Sequence, residues 1–223
     1  CVSNMIDDMG DLDAGLQFTV KEMFGDEDSD YDLTYRNVDE LIVFADGSRG
    51  EAETDWEVDA NGKIISIEIR FDDLFLENAT DVAIFTTILH ENMHATMFYQ
   101  LNQADVPINS DSDNYLILAE IWSNYVAEIR LGEGEDRSRI AQYQHEVISE
   151  LIDKMFPLVK QFAIDKGYNI NDTQAEAICW VGLAGTTAYD ELEDSLKETY
   201  DRIILDEFDY FDVLAIGKKC DYN

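Results

Sequence analysis

The sequence predicts an α+β protein that is mainly α, with a small antiparallel sheet near the N-terminus followed by a body of helices. Three observations predict this class. Between about residues 41 and 69, short apolar runs have the two-residue period of strands. Beyond about residue 80, apolar residues recur at helical spacing, and the whole chain contains only 2 prolines. Hydrophobic residues make up 46% of the 223, which is enough to bury a sizeable core.

The predicted sheet consists of three short strands. Residues 41–45 form one apolar run, and residues 56–58 and 64–69 form two more. The last two flank Asn61-Gly62, a dipeptide that strongly favours the tight turn of a β-hairpin. We therefore expect an antiparallel hairpin directly before the helices.

Five helical segments are predicted in the remainder of the chain. The third is long enough to bend near Pro157, and the fourth begins behind the capping residues Asn171 and Asp172. The segments are residues 81–103, 115–131, 137–166, 173–189 and 191–206.

The first 35 residues differ from the rest in being acidic and rich in turn residues. We interpret residues 1–35 as an acidic tether and residues 36–223 as a single domain, because no repeat or low-complexity linker divides the latter. The acidic run at residues 25–32 could chelate Ca²⁺. It lacks the glycine and terminal glutamate of an EF-hand loop, however, so a solvated loop is the better interpretation.

The charge of the chain excludes some classes of partner. There are 49 Asp and Glu against 15 Lys and Arg, which gives a net charge of −34. Such a field repels phosphate backbones, so the sequence predicts no nucleic-acid binding. No apolar run approaches the length that spans a bilayer.

The three cysteines form no C-x-x-C pair, which argues against a zinc ribbon or a thioredoxin-type site. Cys1 stands first, as in a mature bacterial lipoprotein whose sulfur carries the lipid, although an arbitrary boundary would also place it there. The lipoprotein interpretation predicts an extracytoplasmic protein anchored to an outer membrane or cell surface. Cys179 and Cys220 could pair in that environment, or Cys179 could be a buried free thiol.

The sequence His90-Glu91-Asn92-Met93-His94 is an H-E-x-x-H motif inside the first predicted helix. Residues four apart lie on one face of a helix, so both imidazoles can bind one zinc ion. Glu91 projects beside them and can accept a proton from a water molecule at the metal. The flanking residues are apolar, which predicts that the helix is buried. The motif itself predicts one Zn²⁺ per chain.

A zinc site of this kind requires a third protein ligand. His145, the only other histidine, shares a helix face with Ala141 and Ile148 and should point inward. Glu120 is the alternative, because it follows His94 at a distance typical of the zincins whose third ligand is a glutamate. If His145 binds the metal, Glu120 or Glu146 could hold a ligand imidazole in place.

Residues 86–95 resemble the zinc helix of SprT-like zincin metallopeptidases, and more closely that of a group of Bacteroidetes proteins with an L-H-E-x-x-H-A helix. Those proteins also carry a later Q-H-E or H-H-E helix, matched here by residues 144–146. Their C-terminal W-x-G-L-x-G-T-x-A-[WY] segment is matched by residues 180–189. The resemblance covers about residues 80–200. It implies a zincin-like body, a three-histidine zinc site and Glu91 as general base.

Within the last of those blocks, Gly182 and Gly185 are expected to allow close helix packing, and Tyr189 could stabilise an oxyanion. Together these features predict a zinc-dependent peptidase that acts on a peptide or protein substrate. The alternative is a non-catalytic surface lipoprotein that serves as a subunit of a larger envelope assembly. A calcium-dependent adhesin would leave the H-E-x-x-H motif unexplained.

Overall fold

A computed structural model of the chain describes residues 5, 32–39, 50–58, 60, 64–102, 137–208 and 215–219. Within them it confirms the predicted class, since a three-stranded sheet in the N-terminal region is followed by helices. The strands are β1 (Asp32–Val38), β2 (Ala52–Val58) and β3 (Ile64–Asp72). The helices are α1 (Asp73–Asn78), α2 (Asp81–Asn102), α3 (Arg137–Glu150), α4 (Ile152–Asp165), α5 (Asp172–Cys179), α6 (Thr187–Asp190) and α7 (Asp194–Phe208).

The sheet has the order β1-β3-β2 and is mixed rather than wholly antiparallel. The predicted antiparallel pairing of the two strands before the helices is confirmed, because β2 and β3 pair antiparallel. The expectation that all strands are antiparallel is wrong, because β1 pairs parallel to β3. Parallel neighbours cannot be joined by a tight turn, and here the whole of β2 lies between β1 and β3 in the chain.

The central strand β3 separates an apolar face from a charged one. Ile67, Ile69 and Phe71 are fully buried, whereas the alternate positions are partly exposed. On the exposed face Arg70 lies 2.9 Å from the Glu53 carboxylate and 2.8 Å from that of Asp55. The alternation of side chains in a strand therefore directs the apolar face toward the helices.

Helix α2 is the centre of the fold and matches the prediction for residues 81–103 closely. Every residue from 81 to 98 is buried, so the helix has no solvent-facing side in that stretch. Its side chains pack on both the sheet and the other helices. Phe98 packs on Trp56 of β2 with ring centroids 4.1 Å apart, and Phe85 stacks on Phe162 of α4 at 4.1 Å.

The predicted helix over residues 137–166 is divided, but not at Pro157. The break falls at Leu151, where α3 ends and α4 begins, and Pro157 lies inside α4. A proline ring displaces the carbonyl one turn earlier and offers no N–H to it. Here that helix nevertheless continues through the proline, and the backbone turns at Leu151 (φ −103°, ψ 5°).

The single helix predicted for residues 173–189 is wrong, although its N-terminal cap is right. Asn171 caps α5 through a hydrogen bond from the N–H of Gln174, and the Gln174 side chain completes a capping box. The helix ends at Cys179 with Trp180 as its C-cap, and Gly182 and Gly185 follow with φ values of +73° and +89°. These left-handed conformations place the two glycines in turns beyond the helix.

Residues 215–219 form a C-terminal strap across the start of α2. The buried Glu207 carboxylate accepts hydrogen bonds from the Thr80 hydroxyl (2.5 Å) and from the N–H groups of Ile216 and Gly217. Asp81 accepts a hydrogen bond from the N–H of Lys218 at 3.0 Å. Two carboxylates therefore fix the strap to the helix that carries the H-E-x-x-H motif.

Several predictions fall on residues that the structure does not describe. They concern the strand at residues 41–45, the helix at 115–131, the calcium run at 25–31, Cys1, Cys220 and Glu120. The strand β1 already begins at Asp32, inside the predicted tether, and Met5 is buried. Cys179 is a buried free thiol. Among the described helices, none combines the length and apolar character required to cross a membrane.

Candidate metal centre

His90 and His94 lie one turn apart on α2 and direct their rings toward each other. Their Nε2 atoms are 3.0 Å apart, and both side chains are buried. Two nitrogens bound to one tetrahedral zinc ion at about 2.0–2.1 Å would lie roughly 3.3 Å apart. The spacing in the structure is therefore close to that of two ligands on one ion.

Helix α3 brings His145 to the same point. Its ring centroid lies 5.4 Å from that of His90 and 5.0 Å from that of His94. One ring nitrogen from each of the three histidines lies within 4.8 Å of the others. The three residues can therefore hold a metal ion. Glu120 lies outside the described residues, so the choice between it and His145 as third ligand stays a prediction.

Gln144 fixes the orientation of His94. Its side-chain oxygen lies 2.9 Å from Nδ1 of His94, and the glutamine is buried. An amide oxygen can only accept, so it pairs with the tautomer of His94 that carries its proton on Nδ1, and that tautomer leaves the Nε2 lone pair available to a metal. The donor set, its spacing and this tautomer all fit a bound metal ion.

Burial keeps the three imidazoles in the neutral form that binds metals. It lowers the pKa of His94 to about 3, with a further decrease from the nearby His145. Burial also lowers the pKa of His90, helped by both neighbouring histidines, and that of His145. The cluster is therefore uncharged at neutral pH, so a cation can bind without first displacing protons.

Glu91 lies beside the histidines and is held by a residue of the sheet. The Thr54 hydroxyl of β2 donates a hydrogen bond of 2.6 Å to its carboxylate. Burial raises the pKa of Glu91 to about 7 against the lowering effect of that hydrogen bond, and the charges of Glu51 and Glu53 raise it further. A carboxyl group with a pKa in this range exchanges protons readily near neutral pH.

Three of these side chains, those of His90, Glu91 and His145, line a cavity of about 210 Å³ between the sheet and the helices. The rest of the lining is contributed by the start of β2, α2, the turn after α5 and the end of α7, through Gly50, Glu51, Ala52, Thr87, Val181, Gly182 and Phe208. A Cβ added at Gly182 would lie 3.6 Å from Cε1 of His90, so the turn after α5 directly covers the metal-facing ring.

Two other predicted site residues, Tyr189 and Glu146, form hydrogen bonds with residues outside the histidine cluster. The Tyr189 hydroxyl donates a hydrogen bond of 2.7 Å to Asp201 of α7, and its ring packs on Trp180. Glu146 accepts the N–H of Thr187 at 3.0 Å and thereby caps α6. The imidazole of His94 is instead held by Gln144. The role of Tyr189 toward an oxyanion stays a prediction.

The sequence analysis missed two residues of the site. Gln144 could have been found, because it shares the inward spacing of Ala141 and Ile148, and a buried glutamine on an apolar face requires a partner. Thr54 gave no comparable signal. It lies 37 residues before Glu91 on an alternating strand, and only the packing of β2 on α2 brings the two together.

Comparisons of the chain with protein-family models, with curated proteins and with solved structures found no match. The resemblance to zincin metallopeptidases therefore stays a prediction. The functional interpretation depends on the geometry and chemistry of the site.

Proposed function

We propose that the protein is a zinc-dependent peptidase. The observation that carries this proposal is that His90, His94 and His145 form one cluster and that Glu91 lines the same cavity as two of these histidines, His90 and His145. Imidazole ligands suit zinc, and a set of three leaves a coordination position for water or substrate. A purely structural site would have no use for a buried carboxylate between its ligands.

When bound, zinc would supply Lewis acidity toward a water molecule and toward the carbonyl oxygen of a peptide. The protein side chains have separate tasks. The three imidazoles, in their neutral form, would hold the ion. Gln144 keeps His94 in the tautomer that presents Nε2. Glu91 accepts a proton from the attacking water and then delivers it to the departing amine.

Thr54 supports Glu91 in this role. Its hydroxyl is bound to the carboxylate at 2.6 Å, so the side chain is restrained beside the histidines rather than free to rotate. A proton acceptor must be held within hydrogen-bond reach of the group that it deprotonates. The contact from β2 therefore orients the base without removing its second oxygen from use.

The size of the cavity supports an extended substrate. Its volume of about 210 Å³ lies below the roughly 300–1,000 Å³ typical of sites that enclose a whole small molecule. A cavity of this size can take one residue of a peptide whose remaining residues lie outside. Its lining combines apolar walls with the acid–base group and the histidines.

The experiment that tests this proposal is Glu91→Gln in the zinc-loaded protein, assayed on a mixture of unstructured peptides. We expect zinc binding to be retained and turnover to fall by about 10²–10⁴-fold, the usual contribution of a general base. Glu150→Gln is the matched control, because Glu150 is exposed on α3 and should not affect turnover. Full peptide hydrolysis by Glu91→Gln would overturn the role of Glu91. Absence of hydrolysis in the zinc-loaded wild type would favour the non-catalytic alternative.

A further inference from the structure

Two buried polar atoms on α2 have no hydrogen-bond partner among the described residues. They are Nδ1 of His90 and Oγ1 of Thr87. The two side chains are 6% and 4% exposed, so solvent does not replace the missing partners. Residues three apart on a helix are neighbours on one face. Since nearly all buried polar groups are paired, two unpaired groups one turn apart require an explanation.

Thr87 differs from the other described threonines inside α2. Thr86 donates its hydroxyl to the carbonyl of Val82 at 2.9 Å, and Thr96 donates to that of Asn92 at 2.8 Å. This bond to the preceding turn is the usual one for a threonine within a helix. Thr87 does not form it, although it lies in the same helix and lines the cavity. Its hydroxyl is therefore not committed to the backbone.

Among the described residues, His90 lacks a hydrogen-bond acceptor at Nδ1 such as the one that Gln144 provides for His94. To bind a metal through Nε2, a histidine carries its proton on Nδ1, and a hydrogen bond from that N–H fixes the ring. Gln144 accepts this bond from His94. Side chains on a helix lean toward its N-terminus, so the ring of His90 leans over the turn that contains Thr87.

We propose that Thr87 is a positioning residue whose hydroxyl accepts a hydrogen bond from Nδ1–H of His90 when the metal is bound. This inference rests on the metal site of the proposed function. A hydroxyl both donates and accepts, so Thr87 can serve His90 in either tautomer. Threonine populates two χ1 rotamers in helices, which makes the required rotation an ordinary one. The two imidazoles on α2 would then each have a polar side chain that fixes the tautomer.

The test compares Thr87→Val with Thr86→Val. Zinc affinity is measured by competition with a chromophoric chelator, and the melting temperature is measured on the metal-free protein. We expect Thr87→Val to bind zinc about 10- to 100-fold more weakly, the usual effect of losing a group that orients a ligand. The same variant should melt at an unchanged or higher temperature, because it removes an unpaired buried hydroxyl.

Thr86→Val should show the opposite pattern, with a lower melting temperature and zinc affinity within about twofold of the wild type, because it loses a bond made only to the backbone. Thr87→Ser keeps the hydroxyl and should restore zinc affinity. Zinc affinity of Thr87→Val within twofold of the wild type would overturn the role of Thr87 while leaving the metal site intact. A wild type that binds no zinc would overturn both the metal site and this inference.

Discussion

At the scale of single residues, the site depends on the groups that orient its ligands. Gln144 is the clearest of these, because its side-chain oxygen is 2.9 Å from Nδ1 of His94 and both residues are buried. A hydrogen bond at Nδ1 selects the tautomer and raises the basicity of Nε2. The affinity for metal should therefore depend on a residue that does not itself touch the ion.

Gln144→Leu should weaken zinc binding by about 10- to 100-fold, since His94 would lose the acceptor that fixes its ring. Gln144→Glu retains an acceptor oxygen and should bind at least as tightly as the wild type. Gln161→Leu changes an exposed glutamine of α4 and serves as the control. Competition with a chelator measures all three, and equal affinities of Gln144→Leu and the wild type would show that Gln144 has no orienting role.

The residues that contact the metal site were predictable to different degrees. The i, i+4 spacing identifies His90 and His94 without any structure, and helical periodicity places His145 on an inward face. Tertiary packing decides which face of α3 meets α2, and therefore whether His145 reaches His90 and His94. The same is true of Thr54, whose contact with Glu91 joins two elements far apart in the chain.

At the scale of elements, the start of α2 is fixed by two acidic residues that hold the C-terminal strap. Glu207 is fully buried and accepts hydrogen bonds from Thr80, Ile216 and Gly217. Asp81 binds both the N–H of Lys218 and the hydroxyl of Tyr168, the latter at 2.7 Å. The strap leaves little room, because a Cβ at Gly217 would lie 2.7 Å from the Asp81 carboxylate. The strap therefore stabilises the helix that carries the site.

This arrangement predicts a dependence of stability on pH. Burial, with a smaller effect from Asp81, raises the pKa of Glu207 above its ordinary value of 4.5. The folded protein thus binds this proton more tightly than the unfolded chain does. The contribution to the free energy of unfolding is full below about pH 4.5 and is lost as the pH rises through the raised pKa.

Glu207→Gln should remove that contribution, so the free energy of unfolding of the wild type relative to the variant should fall as the pH rises from 4.5. Urea denaturation at a series of pH values measures this difference. Glu198→Gln, at an exposed position of α7, should follow the wild type at every pH. A difference between wild type and Glu207→Gln that does not change with pH would contradict the prediction.

The elements themselves were predictable where the local signal and the packing agree. The bounds of α2 were nearly correct because a long apolar run forms a helix that is buried on all sides. The predicted helix at residues 173–189 was wrong because the prediction gave apolar periodicity more weight than Gly182 and Gly185, which adopt left-handed conformations in the turns after α5. The parallel pairing of β1 had no local signal, since sequence patterns specify strands but not the direction of their neighbours.

At the scale of the whole molecule, the chain combines a net charge of −34 with a site suited to a cation. A field of this sign attracts metal ions and other cations toward the protein. The three histidines have lowered pKa values and are neutral, and His90 and His94 are buried, so the ion would be held by directed nitrogen lone pairs rather than by the net charge. Composition predicted the acidic character of the chain, and apolar periodicity with few prolines predicted the mainly helical class, whereas the convergence of α2, α3 and β2 at one site required the folded chain.

The central claim, a zinc site formed by three histidines, is tested most directly by metal content. Elemental mass spectrometry would be applied to the wild type, His145→Ala and Glu120→Ala after loading with zinc and removal of the excess. Circular dichroism would check that all three remain folded. We predict about one zinc ion per chain in the wild type and in Glu120→Ala, and much less in His145→Ala. A wild type without zinc, or zinc that is retained in His145→Ala and lost in Glu120→Ala, would contradict the account.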